Sequence, residues 1–233
     1  KIIVKHGPIF WRMLFFALEL AVEDAFMIVI APEISLNASW LGNLEPVKGA
    51  LWTALVVAAG KLGGFLSAML MTHYWQTPTR PSGYRSLFYL VLLGSAFMAL
   101  MPLALHLGES DMHNAHIIGD VCLFGGSFFF FFFSTAPKIG FMTLFQSMVV
   151  NVDASATIFA WLTCLALVTD AVVIIAVSLI VQFFALKTAL WIIAGIYLLH
   201  GLVECFIGPS LVLPNSDDEE LSHERLLLDG DEA

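Results

Sequence analysis

Charge is what this chain has least of. Only 12% of its residues are Asp, Glu, Lys or Arg, while 59% are hydrophobic and the mean hydropathy is +0.88. Ordinary soluble domains hold roughly 45–50% apolar residues. The shortage excludes a conventional water-exposed globule and points to a bilayer as the solvent. Lysine and arginine together number 10 in 233 residues. They form no patch able to neutralise a row of phosphates, so nucleic-acid binding is excluded as a function class. Cysteine is scarce too: Cys122, Cys164 and Cys205 all lie in apolar runs. They offer neither an even set for disulfides nor the Cys-x-x-Cys spacing of zinc or dithiol chemistry. Ser127 lacks a Gly-x-Ser-x-Gly context, His-Glu-x-x-His does not occur, and the seven histidines show no metal-ligand spacing. No enzyme, resident metal or cofactor is expected on those grounds. The chain opens on Lys1 without the short apolar segment and small-residue cleavage site of a signal peptide, as a piece of a longer polypeptide would.

What the sequence does have is apolar runs near twenty residues long, the length that crosses a hydrocarbon core of about 30 Å as a helix. They predict an all-α membrane protein with six transmembrane helices, over residues 10–32, 48–73, 86–105, 117–136, 155–184 and 187–213. Residues 1–213 then form one six-helix transmembrane domain. Loops are expected where breakers gather: Asn37, Gly42 and Asn43; Pro78, Pro81 and Ser82; Gly108, Ser110 and Asp111. Residues 214–233 carry eight acids against Arg225 alone, and so hold −7 of the formal charge of −9. A like-charge run without apolar periodicity predicts a disordered acidic tail.

Orientation follows from the basic residues, which are retained on the cytoplasmic side. Lys1, Lys5, Arg12, Arg80, Arg85, Lys138 and Arg225 fall on one side, and Lys48 and Lys187 on the other, so both termini are expected in the cytoplasm. Asn37-Ala38-Ser39 is an N-glycosylation acceptor in a loop which that topology puts outside. Glu224-Arg225-Leu226-Leu227-Leu228 is similar to an acidic dileucine sorting signal. The membranes expected are therefore the plasma membrane or that of a vacuole or lysosome.

Ionisable residues within spans cost roughly 2.5–3.5 kcal/mol each at a helix centre, so each needs a partner or water. Glu19, Glu23 and Asp24 lie near the middle of the first span. Glu19 and Glu23 share a face, and Asp24 is turned about 100° away. Three acids so close require compensation, and one that keeps its proton would supply proton coupling. The plainer reading is a structural ion pair, with Lys61 at the centre of the second span as the expected partner of Glu23 or Asp24. Gly60 and Gly64 flank that lysine and form a small-residue face on which another helix can close. Asp170 falls mid-span in the fifth run, and Asp120 borders the outer water. His200 and Glu204 are four apart on the sixth and can either satisfy each other as a structural pair or act as a proton relay. The run Phe128 to Phe133 covers every azimuth of a helix and is expected to serve packing.

Six spans, cytoplasmic ends, an acid cluster on the first helix and a Gly-rich second helix followed by a basic loop resemble the C-terminal half of a major facilitator superfamily transporter. That family sets a glycine and an Asp-Arg-x-Gly-Arg-Arg-like string between the second and third helices of each half. Here Gly64 precedes Arg80-Pro81-Ser82-Gly83-Tyr84-Arg85, with Thr79 standing where the family has the acid and Gly83 one residue late. The resemblance implies two six-helix halves facing each other across a substrate path, each half an inverted three-plus-three repeat. Its implied partners are the lipid bilayer, a small-molecule solute, and an N-terminal six-helix half or a second copy. The expected function is secondary active transport of a small solute, with Glu19, Glu23, Asp24, Lys61 and Asp170 binding solute or protons. A non-transporting six-helix scaffold or receptor-like subunit is the alternative.

Overall fold

The computed structural model describes residues 7–37, 46–74, 81–110, 113–149 and 155–212. Arg80, the Ala38-Ser39 part of the glycosylation acceptor and the acidic tail lie outside the described residues. Within them the only regular elements are helices: α1 (Gly7–Ala25), a π-helical turn (Phe26–Ile30), α2 (Ala31–Asn37), α3 (Pro46–Tyr74), α4 (Pro81–Met98), α5 (Leu100–Gly108), α6 (Ala115–Val149), α7 (Ser155–Phe183) and α8 (Leu186–Val212). A bilayer supplies no partner for backbone N–H and C=O groups, so a chain this apolar closes them within each helix.

Five stretches are long and apolar enough to cross a membrane: Val47–Met71, Ser86–Gly108, Ala115–Thr143, Ala156–Phe183 and Leu186–Gly208. They correspond to five of the six spans expected. The remaining one is the run from α1 through α2, where Arg12, Glu19, Glu23 and Asp24 dilute the apolar character. Helix α1 nevertheless packs against α6, α7 and α8, and its Ala17, Ala21 and Ala25 are buried, as is Phe26 at the start of the π turn.

Local departures from regular helix have identifiable causes. After Asp24 the chain widens for one π turn, in which the Ala31 N–H donates to the Phe26 carbonyl five residues back. Between α4 and α5 the break at Ala99 comes four residues after Ser95 and three before Pro102, whose missing N–H leaves the Met98 carbonyl without its helical donor. Asn114 takes φ = 62° just before α6, a conformation its short polar side chain tolerates. Its carbonyl accepts from the Ile117 and Ile118 N–H groups at 3.0 and 3.2 Å.

The largest departure from expectation is α6. The fourth span was expected to end at residue 136, yet the helix runs through Pro137 to Val149. Proline costs a helix one hydrogen bond and a clash with the carbonyl four residues earlier, and neighbouring helices offset that where the segment is buried in protein. Pro137 is itself buried. The consequence is functional: Lys138, expected in a cytoplasmic loop, lies within the helix, inside the apolar stretch Ala115–Thr143.

The core sits where α1, the π turn, α4, α5, α6 and α8 meet. Phe130 and Phe131 are buried there, each with its ring centroid 5.4 Å from that of Phe26. Phe129 and Phe133 stack on Phe97 at 5.0 and 5.3 Å. The phenylalanine run thus packs in several directions at once, as its azimuthal spread requires. Helix α3 closes tightly on α6 through its glycines. A Cβ at Gly63 would fall on the Phe128 carbonyl, and one at Gly60 would lie 2.8 Å from Ser127 Oγ. That approach lets Ser127 Oγ donate to the Val56 carbonyl at 2.8 Å. Helix α7, in contrast, touches the bundle along one side only, leaving Trp161, Leu167, Val168, Val172 and Ile175 exposed.

Candidate functional site

The residues singled out from the sequence fall into three groups. The first is centred on Glu23. Its carboxylate is buried between α1 and α6, where Lys138 Nζ lies 2.6 Å from Oε2. Ser134 Oγ donates to Oε1 at 2.9 Å, and Thr135 Oγ1 to the same oxygen at 3.4 Å. Ser134, Thr135 and Lys138 occupy the turn of α6 around Pro137, so the stretch that disturbs the helix also supplies three donors. Lys138, and not Lys61, is therefore the ion-pair partner of Glu23. A sequence reading that ended the fourth span before Pro137 had no way to bring that lysine into the membrane.

The second group is more open. Asp24 and Asp170 are half-buried and Lys61 is exposed. Asp24 lies within electrostatic range of Asp170, Lys61, Glu23 and Lys138. Lys61 makes no ion pair among the described residues, and its ammonium stands 5.1 Å from the Phe131 ring centroid, a cation–π contact. Asp170 Oδ1 is covered yet has no hydrogen-bond partner. Asp24 on α1 thus feels an acid from α7 and a base from α3, with no direct ion pair to either among the described residues.

The third group was not assembled from the sequence. Glu19, expected to act with Glu23, turns instead toward α8. Tyr197 Oη donates to Glu19 Oε2 at 3.0 Å, and His200 Nε2 lies 3.2 Å from Oε1. The same Nε2 is 3.1 Å from Glu204 Oε1. The expected His200–Glu204 proximity is therefore present. It does not satisfy Glu204, however, because the approach is not aligned as a hydrogen bond and both carboxylate oxygens are left without one. Beside this cluster an apolar cavity of about 250 Å³ opens between α1, α7 and α8, walled by Leu18, Val22, Val173, Ile193, Tyr197 and His200. The His200–Glu204 spacing was visible in the sequence, but Glu19 is 181 residues from His200, and no local pattern joins them.

The other expected features have plain placements. Gly64 packs on α6, where a Cβ would meet Thr135 Oγ1 at 2.9 Å. Gly83 and Arg85 belong to the first turns of α4, so that part of the expected loop string is helical. Asn37 ends α2, exposed, with its side-chain amide donating to the Glu33 carbonyl at 3.0 Å and to Glu33 Oε2 at 2.8 Å. Arg12 is buried in α1 and Lys138 in α6 is engaged with Glu23, so neither belongs in a count of loop charges. Lys187 forms an ion pair with Glu109, which ties the end of α5 to the start of α8, two places expected on one side of the membrane.

The fold and these charges define an all-helical, multi-pass integral membrane protein. No family model, characterised protein or solved structure matches the chain.

Proposed function

We propose that this protein is a secondary active transporter of a small solute, coupled to protons, and that the described helices form one six-helix half of a major facilitator-like bundle. The observation that carries the reading is the pattern of helix pairing. Counting α1–α2 as the first span, α3 as the second, α4–α5 as the third, and α6, α7 and α8 as the next three, the first packs on the fourth and fifth, the second on the fourth, and the third on the fourth and sixth. Although the extensive third–fourth packing has only a slight first–sixth counterpart, exchanging the first three spans with the last three turns each of the other pairs into another of the same set or into itself. An inverted three-plus-three repeat has that property.

The open group of charges supports the reading further. Asp24 lies within electrostatic range of both Asp170 and Lys61, and an excess of acid over base suits a cationic solute or protons. Exposed apolar residues along α3 and α7 suit contact with lipid and with a second six-helix unit, either another half of a longer polypeptide or a second copy.

The protein reconstituted in liposomes with an entrapped pH indicator tests this directly. Adding the right member of a panel of organic cations should move protons across the membrane, and Asp24→Asn should abolish that movement while the protein still folds and inserts. A panel that moves no protons, or unchanged flux in Asp24→Asn, overturns the proposal.

A second reading is favoured by one observation. Glu23 is fully engaged by Lys138, Ser134 and Thr135, as a purely structural pair would be. A non-transporting six-helix scaffold would use its charges in that way throughout, and in it Asp24 and Asp170 would be silent.

A further inference from the structure

Two carboxylates and one imidazole meet inside the bundle with no lysine or arginine paired to them among the described residues. Glu19 and Glu204 are each 0% exposed, and His200 is largely covered. One ligand atom from each of the three falls within 4.8 Å of the others. The arrangement is unsatisfied as it stands. A single N–H at Nε2 cannot serve Glu19 Oε1 at 3.2 Å and Glu204 Oε1 at 3.1 Å equally, and Glu204 is left with no hydrogen bond on either oxygen. A buried carboxylate without a partner is costly. Even a fully protonated imidazole supplies one positive charge against two negative ones.

We propose that Glu19, His200 and Glu204 bind one divalent transition-metal ion, held between α1 and α8 within the membrane. The spacing fits the chemistry. Two ligand atoms about 2.1 Å from a tetrahedral ion stand roughly 3.4 Å apart, close to the separations of Nε2 from the two carboxylate oxygens. Oxygen and imidazole donors in this ratio suit Zn²⁺, Mn²⁺ or Fe²⁺ rather than a thiolate-seeking ion or Ca²⁺. Two carboxylates cancel the charge of a dication, which a low-dielectric site demands. The Tyr197 hydroxyl, bonded to Glu19 Oε2 at 3.0 Å, fixes the orientation of that ligand, as groups behind metal-binding carboxylates do. The cavity beside His200 leaves room for a further ligand on the ion. Because the site uses none of Asp24, Lys61 and Asp170, it stands whether or not the protein transports a solute.

The test uses the purified full chain in detergent, stripped with a chelator and titrated with ZnCl₂ or CoCl₂. One equivalent of Zn²⁺ should bind and raise the melting temperature, and Co²⁺ should give the intense visible d–d bands of a low-coordinate site with no substitution needed. Glu204→Gln should abolish stoichiometric binding, and Tyr197→Phe should weaken it about 10–100-fold. Glu109→Gln, outside the cluster, should leave it unchanged. The exposed His113 and His116 are the obvious competing ligands, so the titration is repeated with both changed to alanine. Wild-type protein that takes up no metal and gives no d–d bands overturns the proposal. So does binding that survives Glu204→Gln but disappears with His113 and His116.

Discussion

Lys138 Nζ lies 2.6 Å from Glu23 Oε2, joining the last turn of α1 to the proline turn of α6. Removing one partner from a buried pair leaves an uncompensated charge and costs about 3–5 kcal/mol, whereas removing both together is much milder. Lys138→Met and Glu23→Gln should therefore each lower the melting temperature sharply in detergent, with Lys138→Met the worse because it strands the acid. The double variant should recover most of the loss. Additive losses in that cycle would show that the two side chains do not act on each other.

The Lys187–Glu109 pair looks similar on paper and should behave differently. Lys187 is 46% exposed, so solvent screens the attraction, and exposed pairs contribute about 0.2–1 kcal/mol. Lys187→Ala should lower stability by less than about 1 kcal/mol, and the difference should shrink as salt is raised. A loss as large as that of Lys138→Met, insensitive to salt, would contradict this assignment.

Glycine spacing on α3 leads to a third expectation. Gly63 has the Phe128 carbonyl where a Cβ would go, while Gly125 on α6 has nothing within 4 Å of that point. Gly63→Ala must push α3 away from α6, and overpacking of this kind costs about 1–3 kcal/mol. Gly125→Ala meets open space and gains up to about 1 kcal/mol of helix propensity. Opposite shifts in melting temperature are expected, and equal shifts would mean that α3 and α6 do not approach as closely as described.

These contrasts also mark what the sequence could and could not disclose. Five long apolar stretches were legible because hydropathy is a local property, and the glycines around Lys61 announced a close helix crossing before any partner was known. The fourth span was expected to stop at residue 136, and only the tertiary surroundings that offset the cost of Pro137 reveal that α6 continues. That one boundary moved Lys138 from a loop into the membrane and changed the partner of Glu23. Glu19 was grouped with Glu23 because a helical period puts them on one face, yet neighbours from α6 and α8 separate them. The signal available was His200 and Glu204, a half-satisfied pair on an apolar helix, which called for a third residue without saying where it lay.

Asp170 offers the sharpest discrimination between transport and scaffold. Its carboxylate sits mid-way along α7 with Oδ1 unbonded, and it is felt by Asp24 across the open side of the bundle. A charge so placed needs water, which a solute path would provide and a lipid-facing surface would not. Val168 is exposed on the same helix, about 160° around the axis from Asp170, where lipid is expected. With the three native cysteines replaced by alanine, Asp170→Cys should react with a water-soluble maleimide in intact membranes, and Val168→Cys should not. Labelling of Asp170→Cys should slow when a transported cation is present. If neither position reacts, no water reaches this face, and the charges on α1, α3 and α7 are left with the structural role that the scaffold reading gives them.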